Sequence, residues 1–363
     1  MKALILAAGY GTRLLPYTRT IPKPLFTLNS TPIIGHVIKE LTDIGCEHIF
    51  INTHHLHEQV EAFADGYPGL ITTIHEPVIL DTGGAIANAR AFLEDAPFFV
   101  INSDIISNVN LSKVYNFHQK ANHNSGCLAT LVLHDHKEFN KIKTDPQGYI
   151  ESFEAGKNGL AFTGIQVLSP EIFNYFPSKK IFSSIEVYKR LLSEKKIKAY
   201  VKKDIYWSDI GTKQSYAVTS IFELSAQAFG IGRDKIKDIK IQKLAGDGSD
   251  RQWYRVVKRR KARDKEQEAG DKRQDNEVSS YDTKLSYIIG DHGICLPGSE
   301  SEKQLNAFIR IGTHLFSKAI PVPRILNYDK LSGMVLMEDL GDEPLASHIK
   351  TLQNTTELIK LYQ

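Results

Sequence analysis

Residues 2–225 alternate short apolar runs with segments of helical periodicity, and this alternation is the strongest constraint on the fold. Several runs lack the polar–apolar alternation of a half-exposed strand, which indicates strands covered on both faces. The predicted strands are Ala3–Ala7, His48–Asn52, Ile71–His75, Phe98–Asn102, Leu128–Leu133, Phe162–Leu168 and Ala199–Val201. This order predicts an α/β domain, a three-layer, mostly parallel, Rossmann-like sheet whose ligands bind beyond the carboxyl ends of the strands.

The helical segments between these strands carry recognisable end signals. Thr31 and Pro32 suit the N-cap and first position of a helix that runs to Ile44, and Gly45 suits its C-terminal end. The other predicted helices are Leu56–Ala64, Gly84–Leu93, Leu111–Ala121, Ile185–Ser193 and Gly211–Leu224.

The composition is that of an ordinary globular protein, with 42% hydrophobic and 24% charged residues in 363. A net charge of +3 does not indicate nucleic-acid binding, and no apolar run approaches the roughly 20 residues of a membrane span. We therefore expect a cytoplasmic protein without nucleic-acid or membrane partners. Cys46, Cys127 and Cys295 are far apart and lack CxxC spacing, which predicts free thiols.

The pattern changes after Ser225, and we predict one domain over residues 1–226 and a second over 227–363. A glycine-rich hairpin comes first, and residues 258–284 follow it, so rich in mixed charge that we expect a disordered insertion. The predicted elements of this small α+β region are strands Ile239–Leu244, Trp253–Val257, Leu285–Ile289 and Met334–Met337, and helix Glu302–Lys318.

The loop after the first strand has the chemistry of a polyphosphate site. Gly9 and Gly11 let backbone N–H groups approach phosphate oxygens, and Arg13 and Lys23 supply two cations. The ending of a P-loop and the third glycine of a dinucleotide fingerprint are both missing from this loop. A nucleoside triphosphate suits it, with Arg13 on the β and γ oxygens and Lys23 at the α-phosphate. A tight turn with two solvated cations is the alternative.

Two aspartates are candidates for a metal site near this loop. Asp104 and Asp209 each follow an apolar strand pattern, and two carboxylates with phosphate oxygens and water are what Mg²⁺ prefers. Each is also compatible with a helix N-cap, and 105 positions separate them. His54, His55 and His57 are a weak metal signal, because two are adjacent and the run begins a helix.

Residues 1–225 resemble the sugar nucleotidyltransferases, the nucleoside-diphosphate-sugar pyrophosphorylases. The matching segments, in the order of that family, are residues 6–14, 22–25, 81–84, 102–104, 162–165 and 207–212. Ser103 stands where glycine is more usual, and Thr163 where alanine or serine is common.

The resemblance implies residue roles. The nucleotide would be bound by Leu6, Ala8, Gly9, Gly11, Thr12, Arg13, Lys23, Gly83 and Gly84, with Arg13 and Lys23 catalytic. The sugar would contact Asp104, Glu154, Thr163 and Gly164, and Mg²⁺ would be held by Asp104 and Asp209.

Residues 227–363 resemble the N-terminal lobe of aminoglycoside-phosphotransferase-type kinases. The resemblance rests on the loop 244–256, on Ile320–Pro323 and on 336–341. The strand Leu285–Ile289 has no lysine, and the catalytic-loop Asp and metal-binding Asn have no counterpart before Gln363. The resemblance therefore implies a truncated lobe without kinase activity of its own, or one that needs a C-terminal lobe from another chain.

Together the two resemblances imply a nucleotidyltransferase that joins an NTP to a sugar 1-phosphate. The kinase family includes an anomeric kinase of N-acetylmuramic acid, whose partner in cell-wall recycling is a short uridylyltransferase. UTP and N-acetylmuramate 1-phosphate are therefore the favoured substrates. The alternatives are transfer from GTP or dTTP to mannose or glucose 1-phosphate, and a non-catalytic sensor of nucleotide sugars.

Overall fold

The secondary structure follows the predicted alternation of strands and helices. The structure is a computed structural model, and it describes residues 1–154, 156, 159–245, 251–258 and 285–342. Up to residue 226 the strands are β1 (Lys2–Leu6), β2 (Thr27–Leu28), β3 (Thr31–Pro32), β4 (His48–Thr53), β5 (Ile71–His75), β6 (Phe98–Asn102), β7 (Ile105–Ser107), β8 (Ala129–His134), β9 (Lys143–Thr144), β10 (Ile150–Ser152), β11 (Ala161–Leu168), β12 (Ile197–Val201) and β13 (Trp207–Asp209). The helices are α1 (Ile33–Asp43), α2 (His57–Ala64), α3 (Asp81–Asn88), α4 (Arg90–Leu93), α5 (Leu111–Ser125), α6 (Ser184–Leu191) and α7 (Lys213–Ala228).

A seven-stranded sheet lies at the centre of residues 1–226, in the order β12-β8-β11-β6-β1-β4-β5. β11 is antiparallel to both of its neighbours, β6 and β8, and the other neighbouring pairs are parallel. Each of the seven coincides with a predicted strand, so the mostly parallel α/β sheet is confirmed.

Two apolar layers cover this sheet because successive side chains of a strand point to opposite faces. Leu4 of β1 belongs to a buried cluster that includes residues of α3, α4 and α6. Its neighbour Ile5 belongs to a second cluster, with residues of α1, α2 and α5. Helices therefore cover both faces, which explains why the strand segments are apolar without alternation.

Two helix starts differ from the prediction. Thr31 and Pro32 do not cap and open α1: they form β3, which pairs antiparallel with β2, and α1 begins at Ile33 without a side-chain cap. The N–H of Ile33 donates instead to the carbonyl of Phe26 at 2.8 Å. The helix predicted over Gly84–Leu93 begins earlier and is divided into α3 and α4.

The described residues of the second region form a five-stranded antiparallel sheet in the order β14-β15-β16-β18-β17 and a long helix, α8. Its elements are β14 (Ile239–Lys243), β15 (Gln252–Lys258), β16 (Ser286–Asp291), α8 (Glu300–Ser317), β17 (Ile325–Asp329) and β18 (Met334–Glu338). The predicted hairpin is present as the antiparallel pair of β14 and β15. β17 was not predicted, and the predicted disordered stretch beyond residue 258 lies outside the described residues.

Helix α7 joins the two regions. Ile221 and Leu224 on this helix share a buried cluster with Val256 and Leu336 of the antiparallel sheet. The buried carboxylate of Asp329 accepts hydrogen bonds from the Thr27 hydroxyl at 2.7 Å and from the Ser30 N–H at 2.8 Å. Apolar packing and buried polar contacts therefore both cross the junction.

Two further expectations concern the whole described chain. The three cysteines are buried free thiols, as predicted. Among the helices of the described residues, none has the length and apolar character needed to cross a membrane.

Candidate active site

The loop at residues 8–14 presents backbone donors beyond the carboxyl end of β1. Gly11 is in the left-handed region (φ 63°), and a Cβ there would lie 2.8 Å from Thr18 Cγ2, so the turn requires glycine. Its carbonyl accepts a hydrogen bond from the Thr18 hydroxyl at 3.0 Å. Within the described part of the chain, no backbone N–H of residues 8–13 donates a hydrogen bond. These unused donors are suited to an anion.

Lys23 is directed into the site by a short turn and by one carboxylate. Residues Lys23–Leu25 form a single 3₁₀ turn that follows Pro22 and contains Pro24. The ammonium of Lys23 forms an ion pair with Oδ2 of Asp104, and both side chains are largely buried, 16% and 12% exposed. The sequence places these residues 81 positions apart, and the fold brings them into contact.

Asp209 reaches the same place through a small ladder outside the main sheet. β13 pairs antiparallel with β7, so that Asp209 lies opposite Ile105, and the N–H of Ile210 donates to the Asp104 carbonyl at 3.0 Å. The fold thus places the two candidate aspartates side by side, and Asp209 ends β13, which is not a strand of the main sheet.

The electrostatics of this pair favour a cation. Burial, followed by the neighbouring Asp104 carboxylate, raises the pKa of Asp209, while Lys23 and Arg13 oppose the rise. Oδ1 of Asp209 is buried without a hydrogen-bond partner among the described residues. Two adjacent carboxylates with an unsatisfied buried oxygen are a donor set that fits a hard divalent cation.

Arg13 approaches the pair from the solvent side. Its guanidinium lies 3.7 Å from Oδ2 of Asp209, and its side chain is 57% exposed. A Cβ at Gly211 would collide with this guanidinium, so the glycine allows Arg13 to lie across the backbone. The long, exposed contact leaves Arg13 able to turn towards a phosphate.

A pocket of about 220 Å³ opens beside the loop. It is lined by Leu6, Ala8, Gly9, Asn52, Glu76, Ile79, Asp81, Thr82 and Ala85. A Cβ on Gly9 would meet no atom within 4 Å, so this glycine borders open space. The pocket has the position expected for the nucleoside part of a nucleotide whose phosphates lie on the loop.

A second pocket, of about 310 Å³, lies on the other side of the aspartates. Its lining residues are Asn102, Ile105, Phe139, Lys141, Ile142, Phe153, Phe162, Thr163, Gly164, Ile185, Trp207 and Asp209. Gly164 has φ 80°, and a Cβ there would lie 2.7 Å from Asn102 Nδ2. The Thr163 carbonyl accepts a hydrogen bond from the Trp207 indole at 2.9 Å, which fixes one wall.

His134 and His136 pack behind this wall. Their rings lie 4.8 Å and 5.3 Å from the Trp207 ring, centroid to centroid. Burial and the neighbouring His136 lower the pKa of His134 to about 4, so this imidazole is neutral near pH 7. The indole therefore packs against the neutral ring of His134.

Comparison with known proteins is decisive for the family. The sequence model described as nucleotidyl transferase matches residues 2–226. The chain belongs to the nucleotidyl transferase family. This match confirms the predicted enzyme class for that region, the sugar-1-phosphate nucleotidyltransferases.

Relatives of this nucleotidyl transferase differ in their named substrates. A "Probable mannose-1-phosphate guanylyltransferase 2" of Oryza sativa subsp. japonica is 32% identical over 60% of this chain and 63% of its own length. The chain thus spans less than two thirds of that relative. An "N-acetylmuramate alpha-1-phosphate uridylyltransferase" of Neisseria meningitidis serogroup B is 30% identical over 58% of this chain and 94% of its own.

Solved structures support the fold of the nucleotidyl transferase region. A putative glucose-1-phosphate thymidylyltransferase from Bacillus anthracis, in complex with a sucrose, has a TM-score of 0.54 and 22% identity. The likeness covers 61% of this chain and 95% of that chain.

Three of the predicted site residues lie differently from expectation. The N–H groups of Gly83 and Gly84 donate to the Phe182 carbonyl at 2.9 and 3.0 Å, so these amides are already used within the protein. Of this turn, Asp81 and Thr82 line the nucleoside pocket instead. The Glu154 carboxylate is exposed and pairs with Lys189 at 2.5 Å, and its neighbour Phe153 lines the sugar-side pocket.

The hydroxyl of Thr163 is also engaged inside the fold. It donates to the Val132 carbonyl at 2.9 Å and accepts from the Ile165 N–H at 3.2 Å. A sugar would therefore meet the backbone of the Thr163–Gly164 turn and not this hydroxyl. Thr12 lies in the loop, and Leu6, at the end of β1, lines the nucleoside pocket.

Sequence reasoning missed a buried network that positions the two loops of the nucleoside pocket. The Asn52 side chain accepts from the Ala7 N–H at 2.7 Å and donates to Glu76 at 2.9 Å. Glu76 in turn accepts from the Leu80 N–H at 3.1 Å. Asn52 ends a predicted strand and Glu76 directly follows one, so polar residues at strand ends were the available signal.

Proposed function

We propose that residues 1–226 transfer a nucleotidyl group from an NTP to a sugar 1-phosphate and release pyrophosphate. A phosphate oxygen of the sugar 1-phosphate forms a bond to the α-phosphorus, and the bond from that phosphorus to the bridging oxygen of the β-phosphate breaks. The observation that carries the proposal is the convergence of Lys23, Arg13, Asp104 and Asp209 beside the loop with unused N–H groups.

The protein groups act by orientation and charge. The loop amides and Arg13 hold the β- and γ-phosphates, and Lys23 faces the α-phosphate, where negative charge develops. The pocket beside Gly9 binds the nucleoside, and the pocket beside Trp207 binds the sugar, so the two phosphates meet at the aspartates. No side-chain nucleophile is needed.

Asp104 and Asp209 would hold Mg²⁺, as the raised pKa of Asp209 and its unsatisfied buried oxygen support. When bound, this ion neutralises charge on the transferring phosphate and on the leaving pyrophosphate. In its absence the two carboxylates repel the incoming phosphates, so turnover should require a divalent cation.

The favoured substrates within this proposal are UTP and N-acetylmuramate 1-phosphate. Lys141 lines the sugar-side pocket, and no carboxylate of the described residues forms an ion pair with it. N-acetylmuramate carries a carboxylate on its lactyl ether, whereas mannose and glucose offer hydroxyls alone. An available ammonium therefore favours the sugar acid. The uridylyltransferase named for the Neisseria relative supports the same substrate pair.

The test is pyrophosphate release from each NTP against N-acetylmuramate, mannose and glucose 1-phosphates, with and without Mg²⁺. We expect the highest kcat/KM for UTP with the sugar acid, and no release without the metal. Preference for GTP with mannose 1-phosphate would replace the substrate assignment and keep the reaction. Absence of product from every pair would overturn the reaction and favour the non-catalytic sensor.

The kinase-like assignment of residues 227–363 stays a prediction. Its support is the five-stranded antiparallel sheet with α8, which enclose a mostly apolar cavity of about 850 Å³. β16 contains no lysine, so this strand offers no ammonium to the phosphates of a nucleotide. Arg255 of the neighbouring β15 is paired with Asp339 at 2.7 Å. ATP-dependent sugar phosphorylation that appears only with an added kinase C-terminal lobe would show that the region needs a partner chain.

A further inference from the structure

Three side chains with metal-binding atoms meet at the edge of the main sheet, away from the aspartate pair. Each of His57, Glu61 and His75 offers one ligand atom, and these atoms lie within 4.8 Å of one another. A ring nitrogen of His57 lies 3.1 Å from Glu61 Oε1, and the rings of the two histidines are 4.1 Å apart, centroid to centroid. Two imidazoles and a carboxylate are ligands that a transition metal prefers.

The fold places these three residues together for separate reasons. His57 and Glu61 are four positions apart on α2, so they share one face of the helix. His75 ends β5, the edge strand of the main sheet. Because side chains alternate between the two faces of a strand, His75 lies on the same face as Ile71. Ile71 packs in the same apolar cluster as Phe63 of α2. A helix and a strand thus contribute independent ligands.

The backbone before His57 is held in an uncommon conformation. Leu56 has φ 51°, which a bulky residue rarely adopts, and it is the N-cap of α2. The Nδ1–H of the preceding His54 donates a hydrogen bond to the Glu76 carbonyl at 2.6 Å, one residue beyond His75. The segments carrying the ligands are therefore already tied to each other beside the nucleoside pocket.

We propose that His57, Glu61 and His75 form a site for Zn²⁺ or a similar divalent transition metal. The metal links the first turns of α2 to the end of the edge strand β5. Three protein ligands leave a fourth position for water or an external ligand. Imidazole ligands distinguish this site from the oxygen site at the aspartates, because Mg²⁺ binds nitrogen poorly.

The test titrates the full-length protein, freed of metal by a chelator, with Co²⁺ in the presence of excess Mg²⁺. We expect one equivalent to bind with the intense visible absorption of four-coordinate Co²⁺, and Zn²⁺ to displace it. Affinity should fall at least about 10-fold in His75→Gln and in Glu61→Gln. His123→Gln, on an exposed part of α5, is the matched control and should bind as the wild type does.

Thermal unfolding supplies a second readout that does not depend on turnover. Zn²⁺ should raise the Tm of the wild type and of His123→Gln, and leave that of His75→Gln unchanged. The proposal fails if the wild type binds no Co²⁺, or if His75→Gln and Glu61→Gln bind it as the wild type does. Loss of binding in Asp209→Asn but not in His75→Gln would assign the metal to the aspartate pair and overturn the proposal.

Discussion

Two clusters of arginine and carboxylate groups in this protein differ in how completely their atoms are paired. At the junction of α1, α7 and the segment after α7, Arg233 bonds Glu223 at 2.9 and 3.0 Å and Glu40 at 2.5 Å. Its remaining contact is with a ring nitrogen of His36 at 3.2 Å. In the active site, Arg13 lies 3.7 Å from Asp209, whose second oxygen has no described partner.

The difference separates a structural cluster from a binding site. A guanidinium surrounded by acceptors fixes the elements that carry them, and a ligand gains nothing by approaching it. Charged groups that are loosely paired and lie near like charges can still form favourable interactions with a ligand. The four predictions below test this contrast, from the largest expected effect to the smallest.

Removal of the junction arginine should cost the most stability. Arg233→Met leaves Glu223 and Glu40 without their cation in a mostly buried place, at a cost of about 3–5 kcal/mol in the free energy of unfolding. Denaturant unfolding measures this loss. Lys39→Met, which removes an exposed pair with Asp43, should cost less than about 0.5 kcal/mol.

Turnover of the Arg233→Met protein well below its Tm should stay near that of the wild type. A large fall in kcat of the folded protein would show that the junction takes part in the reaction, and the contrast between the two clusters would not hold.

Removal of the active-site lysine should act on turnover. Lys23→Ala should lower kcat on the order of 100-fold or more, because charge at the α-phosphate loses its nearest cation. Lys2→Ala is the matched control, since Lys2 pairs with Asp95 near the opposite end of β1, and it should leave kcat unchanged. Steady-state pyrophosphate release measures both. Near-normal turnover in Lys23→Ala would refute the assigned role.

The sugar-side lysine should change specificity. For a sugar 1-phosphate whose sugar carries a carboxylate, Lys141→Ala should raise KM about 10-fold. This factor corresponds to the loss of one charge-assisted contact of roughly 1.4 kcal/mol. KM for sugars with hydroxyls alone should not move. Lys137→Ala, in the same exposed segment, is the control. An equal rise for all sugars would assign Lys141 to the shared phosphate.

The smallest expected effect is on the free energy of unfolding when Asp209 is replaced. This replacement should stabilise the fold, whereas replacement of Arg233 should destabilise it. Ligand-free Asp209→Asn should be more stable than the wild type at pH 7, by up to about 1 kcal/mol or ~2–4 °C in Tm. The raised pKa of Asp209 means that the folded state binds its proton more tightly than the unfolded state does. Stability of the wild type is thus lost as pH rises through the folded pKa, above the ordinary value near 3.9.

Tm measured from pH 4 to 7 checks this, and the advantage of Asp209→Asn should grow with pH. Asp204→Asn, an exposed neighbour, should follow the wild type at every pH. A lower Tm for Asp209→Asn throughout would mean that the carboxylate is stabilised in the folded state, contrary to the contrast drawn here.

Apolar pattern and length were sufficient for the strands of the main sheet, since short apolar runs such as Phe98–Asn102 favour buried strands over helices. The prediction failed at Thr31–Pro32, where a cap signal competed with pairing to β2. Pairing won because Asn29 and Ser30, both with positive φ, form a tight turn that brings Thr31 opposite Leu28, and a helix-cap preference does not describe such a turn.

The candidate site was predicted to a similar extent. Gly11, Arg13 and Lys23 were found because their neighbours in sequence define the loop. Lys141 was missed because its neighbours give no signal, and Glu76 was missed because a single polar residue after a strand is a weak one. Gly83 and Gly84 were assigned to the nucleotide, although their amides bond Phe182, about 100 residues away.

The sequence by itself determined the alternation of strands and helices, the glycine loop with its two cations, and the two aspartates. These follow from local chemistry, in which a side chain's type and spacing limit what its backbone can do. Only the tertiary structure decided that Asp104 and Asp209 meet, through the β7–β13 ladder. It also decided that Arg233 is saturated while Arg13 is not, because partners of both arginines come from distant parts of the chain.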